Sequence, residues 1–200
     1  QNLSEYENVD LQGFRGDIYV KEAVIPEGAS VIPKSQFFGC RSLEKVYLPE
    51  SVSVIEDYAF ADCHELKVWE SIEKLSLKSV GISAFENCYA LEFISLPDSL
   101  TVIEGAAFAE CVSVNKLIFS DTSLLKKIGD HAFRGCKNLK EVYLPDSVEY
   151  VGVSAFRDCS SLEQISVSEK IKNQPGIAEL EKNCPNARIR FREVNSVEKE

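Results

Sequence analysis

The sequence predicts an α/β repeat solenoid built from coils of about 23–25 residues, with a parallel sheet along one wall. Three observations predict it. Cysteines stand at Cys40, Cys63, Cys88, Cys111, Cys136, Cys159 and Cys184, separated by 23, 25, 23, 25, 23 and 25 residues. A phenylalanine precedes each of the first six by three positions (Phe37, Phe60, Phe85, Phe108, Phe133, Phe156), and Phe14 extends the row upstream with Asp17 in the cysteine's place. After the cysteine, apolar residues recur at plus three, plus six and plus eight, as in Leu43, Val46 and Leu48 or Leu139, Val142 and Leu144. A unit this small cannot bury its own apolar slots, so stacking must complete the core.

Within each unit the residues after the plus-three slot alternate like a half-buried strand. Eight residues before each cysteine a second apolar slot holds Ile32, Ile55, Val80, Ile103, Ile128 and Val151, which reads as a second short strand on the opposite wall. Gly81, Gly129 and Gly152 beside it are expected to supply tight corners. The extra residues of alternate units fall between Cys63 and Val80, between Cys111 and Ile128, and after Cys159. Pro49, Pro97 and Pro145 keep the same 48-residue beat, so the true unit is expected to be a pair of coils.

The second unit is irregular around Trp69. A bulge that buries Val68 and Ile72 is the expected solution, leaving Trp69 partly exposed. From Pro175-Gly176 the pattern decays into a short amphipathic helix over 177–184 and a strand over 187–191, the expected form of an atypical end unit. The organisation is therefore a flanking segment over 1–12, a solenoid of about seven units over 13–168, a capping unit over 169–192 and a loose tail over 193–200.

Leu91 to Pro97 reads Leu-x-x-Ile-x-Leu-Pro, and Ile128 to Cys136 reads Ile-Gly-x-x-Ala-Phe-x-x-Cys. These words resemble the BspA-like class of leucine-rich repeats, over about residues 14–167. The resemblance implies a right-handed, curved leucine-rich-repeat coil with its main sheet on the concave face. It also implies a secreted or cell-surface bacterial protein of adhesion and interaction. The chain departs from the pattern at Asp17, around Trp69 and after Ser168.

Composition narrows the function. With 44% hydrophobic and 27% charged residues the chain has the make-up of a soluble globular protein. A formal net charge of -10, with 22 scattered basic residues, excludes nucleic acid as an expected partner. No transmembrane segment or N-terminal signal is visible, and the absence of methionine implies that something preceding the numbered chain was removed. His64 and His131 occupy different slots several coils apart and cannot share a metal, and there is no Cys-x-x-Cys pair. The odd number of cysteines in an interior slot favours reduced core thiols over disulfides or a metal site. No cofactor is expected.

Arg15-Gly16-Asp17 matches the tripeptide of integrin ligands, but Asp17 occupies the cysteine slot and is expected to point inward, so the match reads as coincidence. Asn2-Leu3-Ser4 matches a glycosylation acceptor and is read the same way. No Ser/His/Asp or Cys/His set falls on matching slots, so no catalytic residue is assigned and an enzyme is not expected.

What remains is the outward face of the main sheet. Its plus-five and plus-seven positions include Glu22 and Val24, Lys45 and Tyr47, Phe93 and Ser95, Lys116 and Ile118, Glu141 and Tyr143, and Gln164 and Ser166. Exposed aromatic and apolar groups among charges have the composition of interface hot spots. The competing reading is a solvated sheet whose cross-strand neighbours cover one another. The candidate ligand-binding set is Lys45, Tyr47, Trp69, Phe93, Lys116, Ile118, Glu141 and Tyr143. The expected function is a monomeric, non-catalytic module that binds a protein or glycan macromolecule, such as a host matrix or cell-surface component. A structural spacer or self-associating envelope element is the alternative, and an enzyme is the third.

Overall fold

The structure, a computed structural model, describes residues 14–70 and 75–193, the side chains of 68–70 excepted. Each coil contributes a short strand to a main sheet: β1 (Glu22–Val24), β3 (Lys45–Tyr47), β5 (Val68–Glu70), β7 (Phe93–Ser95), β9 (Lys116–Ile118), β11 (Glu141–Tyr143) and the longer β13 (Gln164–Ser168). Two-residue strands alternate with these on a second wall: β2 (Val31–Ile32), β4 (Val54–Ile55), β6 (Ser79–Val80), β8 (Val102–Ile103), β10 (Lys127–Ile128) and β12 (Tyr150–Val151). All pairings are parallel. The protein is the repeat solenoid its sequence predicts.

The period-two alternation decides what each strand buries. Ala23, Val46, Ile94, Leu117, Val142 and Ile165 turn into the core from the main sheet, and Ile32, Ile55, Val80, Ile103, Ile128 and Val151 meet them from the second wall. The second sheet is unbroken, in the order β12-β10-β8-β6-β4-β2. The main sheet is in two sections, β1-β3-β5 and β7-β9-β11-β13-β14, where β14 is Arg188–Arg192. The division coincides with the irregular unit around Trp69. Within it, β5 pairs with β3 in continuous register, so the expected bulge is not found over Val68–Glu70.

Turns close the third wall, and the helix among the described residues is confined to short pieces near the C-terminal end. Residues five and one before the cysteine have left-handed φ, as at Ser35, Tyr58 and Asp62, Ser83 and Asn87, and Ser154 and Asp158, with Gly39 and Gly135 in the latter slot. Asp, Asn and Gly tolerate this region best, which accounts for their recurrence just before the cysteine. The turns stack through backbone bonds: Ser35 N–H donates to Asp57 C=O (3.0 Å), Phe37 N–H to Ala59 C=O (2.8 Å) and Gly39 N–H to Ala61 C=O (2.8 Å).

Inside this wall run two ladders. From Phe37 to Phe156 consecutive rings lie 5.1–5.5 Å apart and nearly parallel, each at most 1% exposed. Phe14 is only partly buried, against expectation; it has a described ring neighbour on one side, and that contact is tilted by 30° at 5.9 Å. Each thiol donates to the phenylalanine carbonyl of the preceding coil, from Cys40 to Phe14 (2.7 Å) through Cys111 to Phe85 (3.1 Å) to Cys184 to Phe156 (3.0 Å). The cysteine slot thus requires a small apolar side chain with a donor.

Gly81, Gly129 and Gly152 are not the tight corners the sequence suggests, since none has a left-handed φ. A Cβ at each would stand 2.5–2.6 Å from backbone atoms of the coil below, so these glycines permit close approach between coils. Gly176 continues the row, with its ideal Cβ 2.1 Å from Gly152 O. It belongs to α1 (Pro175–Ala178), which is followed by α2 (Leu180–Asn183); together they bury Ile177 and Leu180 on the last coil. A 3-10 turn over Glu169–Ile171, capped by the Ser168 hydroxyl, leads into them.

Candidate functional site

The register sorts the outward side chains of the main sheet into two rows. Glu22 and Lys45 lie in one row and Val24 and Tyr47 in the other on the first section. On the second section Phe93, Lys116, Glu141, Gln164 and Arg188 form one row, and Ser95 and Ile118, then Tyr143, Ser166 and Arg190, form the other. Five of the eight candidate residues therefore meet on β7, β9 and β11. Phe93 is 42% exposed and Tyr143 52%, with Lys116 and Glu141 exposed between them and Ile118 half-buried. Lys45 and Tyr47 are half-buried on β3, in the other section. Trp69 shares a register position with Val46, and its side chain lies outside the described residues.

Sequence reasoning missed Arg192. Its guanidinium donates to Leu144 C=O (2.6 Å), Asp146 Oδ1 (2.6 Å) and Ser166 Oγ (2.8 Å), and lies 3.9 Å from the Tyr143 ring centroid. A planar cation with donors in its plane and an aromatic ring against its face uses both recognition modes of arginine at once. The clasp covers Ser166, which was expected outward and is 4% exposed. It also holds the Tyr143 ring in place at the margin of the candidate face. The signal in the sequence was the alternation Arg188-Ile189-Arg190-Phe191-Arg192, a strand carrying three cations along one side in an acidic protein.

Beside the face, charge pairs step from coil to coil. Glu44 contacts Lys21 (3.8 Å) and Lys67 (3.3 Å), all substantially exposed, so they contribute little to stability. Past the end of β7, Asp98 accepts from the hydroxyls of Ser120 and Thr122, which lower its carboxyl below the usual range.

The thiols lack the chemistry of a reactive site. All seven cysteines are free and buried. Burial pushes Cys40 and Cys184, at the two ends of the ladder, up to about 11, and holds the five between them well above the ordinary thiol range. A thiol held protonated at neutral pH is neither a nucleophile nor a metal ligand. His64 stacks on Tyr89 with centroids 4.6 Å apart, while His131 occupies a left-handed turn position. No cluster of three metal-ligating side chains occurs among the described residues. Asp17 is half-buried, and its carboxylate accepts the N–H groups of Tyr19 (2.8 Å) and Val20 (3.2 Å), so it serves the local turn.

Six copies of the BspA type leucine rich repeat region match over residues 7–123 and 78–184. The chain belongs to the BspA-type leucine-rich repeat family. Such repeats are generally protein-interaction modules. Among solved structures, a leucine-rich repeat protein from Bacteroides ovatus is similar over 92% of this chain and 63% of its own, at 22% identity and a TM-score of 0.62. A leucine rich cell surface protein from Faecalibacterium prausnitzii is similar over the same shares, at 23% identity and a TM-score of 0.55. The pneumococcal vaccine antigen PcpA is similar over 75% of this chain and 41% of its own, at 27% identity and a TM-score of 0.63. This BspA-type chain thus spans less than two thirds of the length of each of these three. No curated protein matches it. Among the described residues no helix is long and apolar enough to cross a membrane.

Proposed function

We propose that this BspA-type repeat chain is a non-catalytic, secreted or cell-surface adhesion module that docks a macromolecule on the outward face of its main sheet. The observation that carries the reading is the exposure of Phe93 and Tyr143, with Lys116, Ile118 and Glu141 between them, on three adjacent parallel strands in which Phe93, Lys116 and Glu141 share one register position. Rigid neighbouring strands hold these side chains at fixed spacing, so a partner that desolvates the rings encounters little further ordering. The cell-surface description of the Faecalibacterium neighbour supports the location by analogy.

The test is a binding screen against host matrix proteins, mucins and cell-wall glycans, followed by the Phe93→Ala, Tyr143→Ala double variant. Loss of two anchors should weaken the identified interaction about tenfold or more. Glu141→Ala should act mainly on the association rate. A double variant that binds as wild type moves the site off this face.

A further inference from the structure

The last strand of the main sheet has features that the candidate face lacks. Arg188 N–H donates to Glu163 C=O (2.7 Å), directing this residue's main chain toward β13. Backbone groups alternate along a strand in a parallel pair, so Ile189 and Phe191 direct their N–H and C=O groups to the outer edge of β14. Among the described residues no strand pairs with that edge.

The side chains of β14 also alternate. Arg188 and Arg190 are exposed on the outward face, and neither is in an ion pair among the described residues. This sets them apart from Arg192, whose guanidinium is committed to Asp146 and Tyr143. On the opposite side, Ile189 is half-buried and Phe191 is 44% exposed, in register with Ile165 and Val167 of the core. Two exposed guanidinium groups two residues apart, outside any ion pair among the described residues, stand out on a chain of formal net charge -10. Symmetric antiparallel pairing of two β14 strands about Arg190 would oppose Arg190 to itself and Arg188 to Arg192, and like charges directly opposite are destabilising. The same row complements an acidic strand.

We propose that β14 is a docking edge for an extended acidic segment of a partner protein. The segment adds to the sheet as a strand, with carboxylates against Arg188 and Arg190 and apolar side chains beside Ile189 and Phe191. Main-chain bonds to Ile189 and Phe191 supply attachment, and the two-sided alternation supplies selection for a sequence in which acidic and apolar residues take turns. This edge is separate from the Phe93–Tyr143 face, and the two are tested independently.

The probe is a labelled peptide of about seven alternating Glu and Val residues, titrated with the 200-residue chain and followed by fluorescence anisotropy. Two further peptides carry N-methyl groups on one or the other alternate set of amides. Binding of the parent is expected, with a loss of about tenfold or more for one methylated set and near-parent affinity for the other, because only one edge of an added strand faces β14. Arg188→Glu, Arg190→Glu should lose the peptide to a similar degree with an unchanged melting temperature, whereas Arg41→Glu, which reverses an exposed cation in the first coils, should bind it as wild type does. Equal binding by both methylated peptides would show a charged patch without strand addition and overturn the proposal, as would no binding of the parent. Self-association of the wild-type chain, abolished by the double substitution, would make a second copy the occupant and overturn it as well.

Discussion

The two walls of the solenoid differ where the coil sequence is disturbed. The second wall runs through β2 to β12 without interruption, and Ile55 pairs with Val80 across the same step at which the main sheet divides between β5 and β7. At that step the Phe60 and Phe85 rings are 5.1 Å apart, Phe60 N–H donates to Ala84 C=O at 2.7 Å, and the Cys88 thiol reaches Phe60 C=O at 3.3 Å. Coil-to-coil continuity therefore resides in the turn wall and the second sheet. The main sheet tolerates an irregular unit because it is not the only wall holding the coils together, and that tolerance leaves its outward positions free to vary.

The comparison is broken most directly through the phenylalanine ladder. Phe85→Ala and Phe108→Ala each remove a buried ring stacked on both sides, and each should cost about 3–5 kcal/mol in denaturant unfolding. Phe85 adjoins the divided step and Phe108 lies within the continuous section. If continuity resides in the turn wall, Phe85→Ala should cost at least as much as Phe108→Ala. A clearly smaller cost at Phe85 would mean that the step is already loosened and that the main sheet contributes more to stacking than its division implies.

The clasp at the C-terminal end gives a more local effect. Arg192→Ala removes bonds to Asp146, Ser166 and the Leu144 carbonyl and uncovers the Tyr143 ring. A hydrogen bond to a charged group contributes about 1.5–3 kcal/mol when shielded, and Asp146 is 46% exposed, so a loss near the lower end is expected. Hydrogen exchange should quicken at the amides joining β13 to β14 and remain unchanged from β7 to β9, because openings at a solenoid end need not spread.

The lattice of cysteines and phenylalanines made the coil legible, because stacking forces one residue type to meet itself in every unit. The candidate face was legible as a set of outward positions, but not as rows. Phe93 occupies the row of Lys116 and Glu141, and Tyr143 the other, with Ser166, because alternate residues of a three-residue strand both face outward. Features set by contacts between distant residues were not legible. The Arg192 clasp spans 48 residues to Leu144, and the role of Gly81 depends on the backbone of Glu56 and Asp57 lying beneath it. The left-handed positions lie between these cases, since the recurrence of Asp, Asn and Gly before cysteine was visible but Tyr58 and Ala106 gave no sign.

A thiol ladder that stabilises the turn wall should make the protein sensitive to alkali. Desolvation holds Cys111 protonated well above the ordinary thiol range, whereas the unfolded thiol titrates near ~8.5. Below that value both states keep the proton and the contribution is fully present. Above it only the unfolded state releases the proton, so stability falls by about 1.4 kcal/mol per pH unit per such thiol until the folded group titrates. Unfolding midpoints between pH 9 and 10 should therefore decline less steeply in Cys111→Ser than in wild type, by one proton. Equal slopes would show that Cys111 is not desolvated in the folded protein.

The smallest effect compares neighbours on one strand. Val46 of β3 is 1% exposed in the core, while Tyr47 is half-buried on the outward side and has Val24 across the β1 edge. Val46→Ala removes two buried methyl groups and should cost about 1.5–2.5 kcal/mol from transfer and cavity formation. Tyr47→Ala leaves the core intact and should stay within about 1 kcal/mol, the residual reflecting contact with cross-strand neighbours. Paired urea titrations of the two variants measure the difference. A Tyr47→Ala loss equal to that of Val46→Ala would mean that the outward side chains are tied into the fold and are not free for a partner, and it would favour the solvated-sheet reading of this section. If the inequality holds while binding to a partner is lost, the outward row is separable from the stacking that supports it.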